Sequence, residues 1–245
     1  MLKVSGIKWV LDGTPLERGA SLREPYRDRK NWSVRLNFPQ EEIVSMVRES
    51  LKWDDQLLVH CVGDGAVEAV FNAMEGISGV DWTKKRVRIE HGDGLVADLI
   101  PRARRLGVVV VQNPLHLNFA DILKERFGSD TPISLYRSLL DAGIPLAFGS
   151  DAPMNPYRDI MLAVMHPINP SEALTREQAV EAYTRVSAFA EFEEQEKGTI
   201  TTGKLADIAV LSQDIFTAPP KTLPETRSIL TIVGGQVVHD AEKLE

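Results

Sequence analysis

The chain has 245 residues, 43% of them hydrophobic and 26% charged, and a formal net charge of -7. This is the composition of an ordinary globular protein, sized for one large domain or one domain with a small companion. The acidic balance, with no basic cluster to offset it, argues against a nucleic-acid partner. The single cysteine, Cys61, excludes an internal disulfide and fits a reducing compartment. The N-terminal residues lack a signal-peptide layout, and no apolar stretch is long enough to span a bilayer. A cytoplasmic protein acting on a small molecule, without a membrane partner, is the expectation.

Residues 7–11 read as a strand, and residues 12–38, rich in Gly, Pro, Arg and Asp, as a long loop. A helix is predicted from about Pro39, with Ile43, Val44, Val47 and Leu51 on one face. The run Leu57-Leu58-Val59 leads into His60, and Val67, Val70, Phe71 and Met74 then form a helical stripe. The run Val87-Arg88-Ile89-Glu90 leads into His91. Leu95, Leu99, Ile100, Ala103 and Leu106 predict the next helix, with Gly107 as its stop.

Residues 108–111, four consecutive valines, are the most β-prone run and lead into Gln112-Asn113-Pro114-Leu115-His116. A helix over 133–142 stops at Gly143, and the run 146–150 leads into Asp151. Thr175-Arg176-Glu177-Gln178 has the form of a capping box and opens a helix through Val180, Tyr183 and Val186. From Lys197 the character changes to Gly-punctuated β segments at 207–211 and 229–238, with Pro219, Pro220 and Pro224 between them.

The alternation predicts an α/β fold: part of a (β/α)8 TIM-type barrel with about five β/α units over residues 1–196, and a small C-terminal β appendage over 197–245. A closed barrel of this type takes eight strands. Five parallel strands leave two open edges, through which copies of the chain could associate as a homo-oligomer.

Three strands end on metal-ligand residue types: His60, His91 and Asp151. Parallel barrel strands converge on one face, so these residues point to a hydrolytic metal site there. Histidines ligate as neutral imidazoles, and a carboxylate beside a metal-held water can take its proton. An isolated strand-end histidine, by contrast, can merely hydrogen-bond a loop. Alternation along a strand turns Cys61 away from His60, as a buried apolar residue, and turns Glu90 away from His91, which makes it a poor co-ligand.

Lys8 lies among Ile7, Trp9, Val10 and Leu11. The residues leave open whether it pairs with Asp12 or is desolvated and neutral. His116 follows a strand; it could contact substrate or structure its loop. The pocket would draw on the loops at 12–38 and 112–134.

Five stretches together resemble the amidohydrolase superfamily, in particular its amidohydrolase 3 group. They are Gly6-Ile7-Lys8-Trp9-Val10-Leu11-Asp12-Gly13, Val59-His60-Cys61-Val62-Gly63-Asp64, Arg88-Ile89-Glu90-His91, Val111-Gln112-Asn113-Pro114-Leu115-His116 and Gly149-Ser150-Asp151-Ala152-Pro153. The tail, from Lys197-Gly198-Thr199-Ile200 to Ile232-Val233-Gly234-Gly235, is similar to the family's closing β segments.

The resemblance implies a distorted barrel beside a β-sandwich, and hydrolysis of an amide or other non-peptide C–N bond. It implies a divalent metal, with zinc the expected ion. Lys8 would be a carboxylated metal bridge, His60 and His91 the ligands of the fifth and sixth barrel strands, and Asp151 both a ligand and the proton shuttle. His116 is the candidate substrate contact.

The family's first-strand His-x-His pair has no counterpart: the histidines are 60, 91, 116, 166 and 239. The expectation is a chain that begins partway through the barrel and is inactive, or nearly so, on its own. The alternative is a degenerate, non-catalytic barrel fragment that serves as a binding or assembly module.

Overall fold

The computed structural model describes residues 6–128, 132–151 and 153–243. Ala152 of the Gly149 to Pro153 motif and residues 129–131 of the 112–134 loop lie outside the described residues. So do both chain ends.

Five parallel strands form one sheet: β1 (Gly6–Val10), β2 (Gln56–Cys61), β3 (Arg88–His91), β4 (Val109–Gln112) and β5 (Leu146–Phe148). They lie side by side in chain order, as successive β/α units of a barrel do. Between them run α1 (Gln40–Trp53), α2 (Asp64–Glu75), α3 (Ile100–Leu106), α4 (Ala120–Phe127) and α5 (Tyr136–Asp141). After them come α6 (Pro156–Met165), α7 (Arg176–Tyr183) and α8 (Arg185–Ala190). This is a partial TIM barrel. An antiparallel sheet follows, made of β6 (Ile208–Leu211), β7 (Ser228–Val233) and β8 (Gln236–Asp240).

The register divides the parallel sheet into two faces. Trp9 pairs with Val59, Val59 with Ile89, Ile89 with Val110, and Val110 with Leu146. Paired residues of parallel strands share a face, so this row is the one packed against the helices. Val59, Ile89, Val110 and Leu146 join one continuous core with Val67, Val70 and Phe71 of α2. The other, inner face carries Lys8, Leu58, His60, Arg88 and Glu90, then Val109, Val111 and Ala147.

The segment at α8 covers the start of this inner face. Val109, Val111 and Ala147 pack on Ala190, with Val186 and Phe189 beside them. Polar bonds pin it at the N-terminal ends of the strands. Gln56 donates to the Ala190 carbonyl at 2.7 Å, and Arg86 donates to the Phe189 carbonyl at 2.7 Å. Arg86 also pairs with Glu194 and lies 3.6 Å over the Phe189 ring. The inner face is therefore closed at that end and open at the other.

Several local signals act as expected. Gly107 ends α3 in the left-handed region at φ 62°, where a residue without Cβ is unstrained. The Thr175–Gln178 capping box is formed at the start of α7. The second β segment of the tail is a hairpin that reverses at Gly234 and Gly235, with φ 57° and 80°.

Other segments differ from the sequence reading. Leu95 and Leu99 are buried but lie before α3, which starts only at Ile100. The predicted 133–142 helix is confined to Tyr136–Asp141, because Ser134 takes a left-handed φ of 53°. The helix through Val186 breaks at Thr184, giving α7 and α8.

Candidate functional site

β1, β2 and β3 deliver their last residues to the open end of the barrel. His60, next to last on β2, points to the inner face and is half-buried. His91 ends β3, where strict alternation would send its ring toward the helices beside Cys61. Its left-handed φ of 72° breaks the alternation. Its ring lies edge-on to His60, with centroids 4.3 Å apart. For the same reason Glu90 does not point away from His91: both line a cavity of about 370 Å³ with Lys8, Arg88, Asn113 and Asp151.

His116 stacks on His91 at 5.4 Å between centroids. It sits in a 3-10 turn, Pro114–Phe119, placed by β4. Its Nδ1 is 3.2 Å from Asp93 Oδ2, and its Nε2 is 3.8 Å from Asp151 Oδ2. The rings and carboxylates thus run in contact from His60 through His91 and His116 to Asp151.

Asp151 is not at the end of its strand. β5 stops at Phe148, and Asp151 lies three residues on, in a turn at φ 61°, with 61% of its side chain exposed. Lys8 is on the inner face of β1 as the alternation requires, but it is exposed. It does not pair with Asp12, whose carboxylate is buried and held by three amides.

Asp12 accepts hydrogen bonds from the amides of Ser21, Val62 and Gly63 at 2.8–2.9 Å. It joins the long loop to the turn after β2, and burial pushes its pKa up to about 6 against the pull of those amides. The turn is close-packed: a Cβ on Gly63 would sit 1.9 Å from the Ser21 carbonyl oxygen. Arg23 pins the same loop through Asp64 and Asp98, and Asp28 lies between Arg18 and Arg126.

Electrostatics separate the histidines. Burial lowers the pKa of His60, and lowers that of His91 to about 4, so both are neutral near pH 7. Burial also opposes a proton on His116, but Asp93 and then Asp151 outweigh it and raise its pKa. Burial would raise Asp93; the His116 charge and hydrogen bond hold it below the usual carboxylate range. Ser134 donates a further bond to Asp93 at 3.1 Å.

Two observations bear on metal binding. His60 Nε2 and His91 Nδ1 are buried with no hydrogen-bond partner among the described residues, though His60 Nε2 lies 3.8 Å from Asp12 Oδ1. A buried nitrogen of this kind is costly unless something occupies its lone pair. His91, Asp93 and His116 also offer one ligand atom each, all within 4.8 Å of one another. Neutral imidazole nitrogens and carboxylate oxygens are the donor set for a divalent ion such as zinc. The residues present fit such an ion.

Asp93 was not singled out from the sequence. Its only signal is its position in the Gly92-Asp93-Gly94 turn directly after a strand-end histidine. The two other histidines lie elsewhere. His166 is fully buried, with Nε2 2.9 Å from the Ser134 carbonyl and Nδ1 accepting from the Asn169 amide. His239 is on β8 of the second sheet. Cys61 is fully buried in the core and burial pushes its thiol up, so it is no nucleophile. No helix among the described residues is long and apolar enough to cross a membrane.

Known proteins share this architecture and sequence. The chain is 29% identical over 256 residues to YtcJ of Bacillus subtilis (strain 168), covering 98% of this chain and 48% of YtcJ. It is 27% identical over 216 residues to the N-substituted formamide deformylase of Arthrobacter pascens, covering 83% of this chain and 40% of that enzyme. The chain thus spans under half the length of either curated relative. A metal-dependent hydrolase of unassigned activity from Pyrococcus furiosus superposes with a TM-score of 0.79 at 27% identity, over 87% of this chain and 45% of that one. The amidohydrolase family model matches residues 1–239, and the chain belongs to the amidohydrolase family.

Proposed function

We propose that this chain carries the metal-binding and proton-transferring part of a metal-dependent hydrolase of amide or other non-peptide C–N bonds. The observation that carries the reading is the pair of buried nitrogens without a hydrogen bond among the described residues, His60 Nε2 and His91 Nδ1, beside the Asp151–His116 pair. The printed activity of the Arthrobacter relative, deformylation of N-substituted formamides, supports the choice of a C–N bond.

In this reading residues 1–196 form the hydrolase part and residues 197–245 the β appendage. His60, His91 and Asp151 would hold the ion, and Lys8, on the inner face of β1, would join them if its amine added carbon dioxide, with loss of a proton, to become a carbamate. A zinc ion held there would supply a water acidified to a pKa of about 7. Asp151, exposed at the mouth of the cavity, takes the proton of the attacking water and passes it to the leaving amine. His116, whose Nε2 is 3.8 Å from Asp151, would hydrogen-bond the substrate carbonyl.

The test is zinc content after dialysis, with turnover of an N-alkylformamide measured on the same samples. Retained zinc that falls about tenfold or more in His91→Ala is expected. Any turnover should be weak and be lost in Asp151→Asn. Zinc content indifferent to His60→Ala and His91→Ala would overturn the ligand assignment. Bound zinc with no turnover of any amide or ester would favour a non-catalytic binding module.

A further inference from the structure

The turn that carries Asp151 and the turn that carries His116 come from different β/α units, after β5 and after β4. Nothing in either turn's own backbone fixes their separation. Asp159, in the first turn of α6, lies beneath both. Its side chain is fully buried, which is expensive for a carboxylate and calls for specific partners. Ser150, the residue before Asp151, donates to Asp159 Oδ2 at 2.6 Å. Tyr183 of α7 donates to the same oxygen at 2.5 Å, and its hydroxyl is 2.8 Å from that of Ser150. The Leu115 amide, one residue before His116, faces the carboxylate, while Oδ1 makes no full hydrogen bond of its own. α6 packs along the 114–119 turn, so this approach is continuous with the packing of the two elements.

We infer that Asp159, with Ser150 and Tyr183, is a positioning residue that sets the distance between Asp151 and His116. It touches neither of them; it acts through their chain neighbours, Ser150 and Leu115. The inference rests on the roles given above to Asp151 and His116, but its geometry does not depend on them. The backbone of Asp151 is in the left-handed region, at φ 61°, which aspartate tolerates better than most non-glycine residues. The hydroxyl clamp on Ser150 fixes the residue directly before it. Tyr183 extends the clamp to α7, so the mouth of the site is tied to the helix layer outside it.

The experiment uses the metal-free full chain and reads no turnover. The ring 15N and 1H resonances of His116 are recorded in wild type and in Asp151→Asn. Removing the Asp151 charge at 3.8 Å shifts the His116 signals. In an Asp159→Ala background that response is expected to be lost or at least halved, because the two turns separate. Tyr183→Phe and Ser150→Ala, which keep the carboxylate, should reduce it by a smaller amount. Leu162→Ala, a buried α6 residue without a polar role, is the control for plain destabilisation and should leave the response intact.

An unchanged response in Asp159→Ala would overturn the inference. If Asp159→Ala does not fold, an unchanged response in Tyr183→Phe and Ser150→Ala together would do so. A response halved in Leu162→Ala as well would equally overturn it, by making the effect one of general stability. None of these outcomes depends on whether the chain binds zinc or cleaves any bond.

Discussion

On the helix-covered face of the parallel sheet, Leu57, Val59, Ile89, Val110 and Leu146 are buried and apolar, each at 2% exposure or less. On the inner face of the same strands stand Lys8, His60, Arg88 and Glu90, half-buried or exposed. The backbone hydrogen bonds are shared, so the difference between the faces is one of side chains alone. The first face is tolerant of any well-packed apolar set and gives the chain its stability. The second accepts unpaired nitrogens and a lone ion pair that a core would exclude. Stability and chemistry are separated by one residue of register.

The sharpest way to break this comparison is at Ile89, the central residue of the covered face. Ile89→Ala removes buried carbon atoms and leaves a cavity, and should cost about 2–5 kcal/mol in denaturant unfolding. His60→Ala, on the inner face, should cost much less, while removing a proposed metal ligand. Equal costs for the two would mean the inner face is also core.

A pH titration sharpens it next. The folded pKa of His91, about 4, lies below its ordinary value of 6.5. The stability it contributes is therefore present above 6.5 and is lost as pH falls through 4, since only the unfolded chain takes up the proton in that window. In metal-free protein the loss should reach about 3 kcal/mol, and His91→Gln should flatten that part of the curve. Asp12 works in the opposite direction. Its folded pKa, about 6, lies above its ordinary 3.8, so its contribution is present below 3.8 and is lost as pH rises through 6. Asp12→Asn should accordingly steepen the His91 limb. A curve that Asp12→Asn leaves unchanged would place that carboxylate's titration elsewhere.

A smaller effect is expected at the ion pair on the inner face. Arg88 Nε and Glu90 Oε1 are 2.7 Å apart, two residues apart on one side of β3. Glu90→Gln leaves the largely buried guanidinium without its ion-pair partner and should cost about 1–3 kcal/mol. Adding Arg88→Met should restore most of the loss, because Val109 and Ala147 offer an apolar surface nearby. A double variant as unstable as the single one would show that the pair is valued for more than mutual neutralisation.

Much of the covered face was legible before the structure, and for a physical reason. Strands packed on both sides read as apolar runs, so the run at 108–111 and the stretches leading to His60 and His91 announced themselves. Gly107 and the Thr175 capping box are local devices whose chemistry is complete within a few residues. The site was legible only where a candidate ligand follows such a run directly. Asp93 sits in a turn with no period to reveal it. Asp159 occupies the first turn of a helix, where an acid is ordinarily read as complementing the helix dipole. Only tertiary packing shows it fully buried beneath two other turns. That Lys8 is exposed and that Asp151 lies exposed beyond its strand was not legible, because strand register gives the face of a residue but not what covers it.

The edges of the sheet carry the smallest expected change in folding free energy and a clear change in behaviour. β1 pairs with β2 on one side only, and β5 with β4 on one side only, among the described residues. Ile7 and Val10 on β1 are 46% and 47% exposed. Asn37 Nδ2 donates to the Val10 carbonyl at 2.9 Å, but no strand pairs with this edge among the described residues, and an exposed apolar edge is a template for another strand. The purified chain should therefore associate in a concentration-dependent way under light scattering. Val10→Lys places a charge on that edge without removing any core contact, so unfolding should shift by no more than about 0.5 kcal/mol. Association should fall sharply. A wild-type chain that stays monodisperse and monomeric would mean that the β1 edge is covered in solution. Association indifferent to Val10→Lys would move the contact to the β5 edge or to the exposed valines of the hairpin, Val233, Val237 and Val238. Either result would show which unsatisfied surface of this half-barrel governs its assembly.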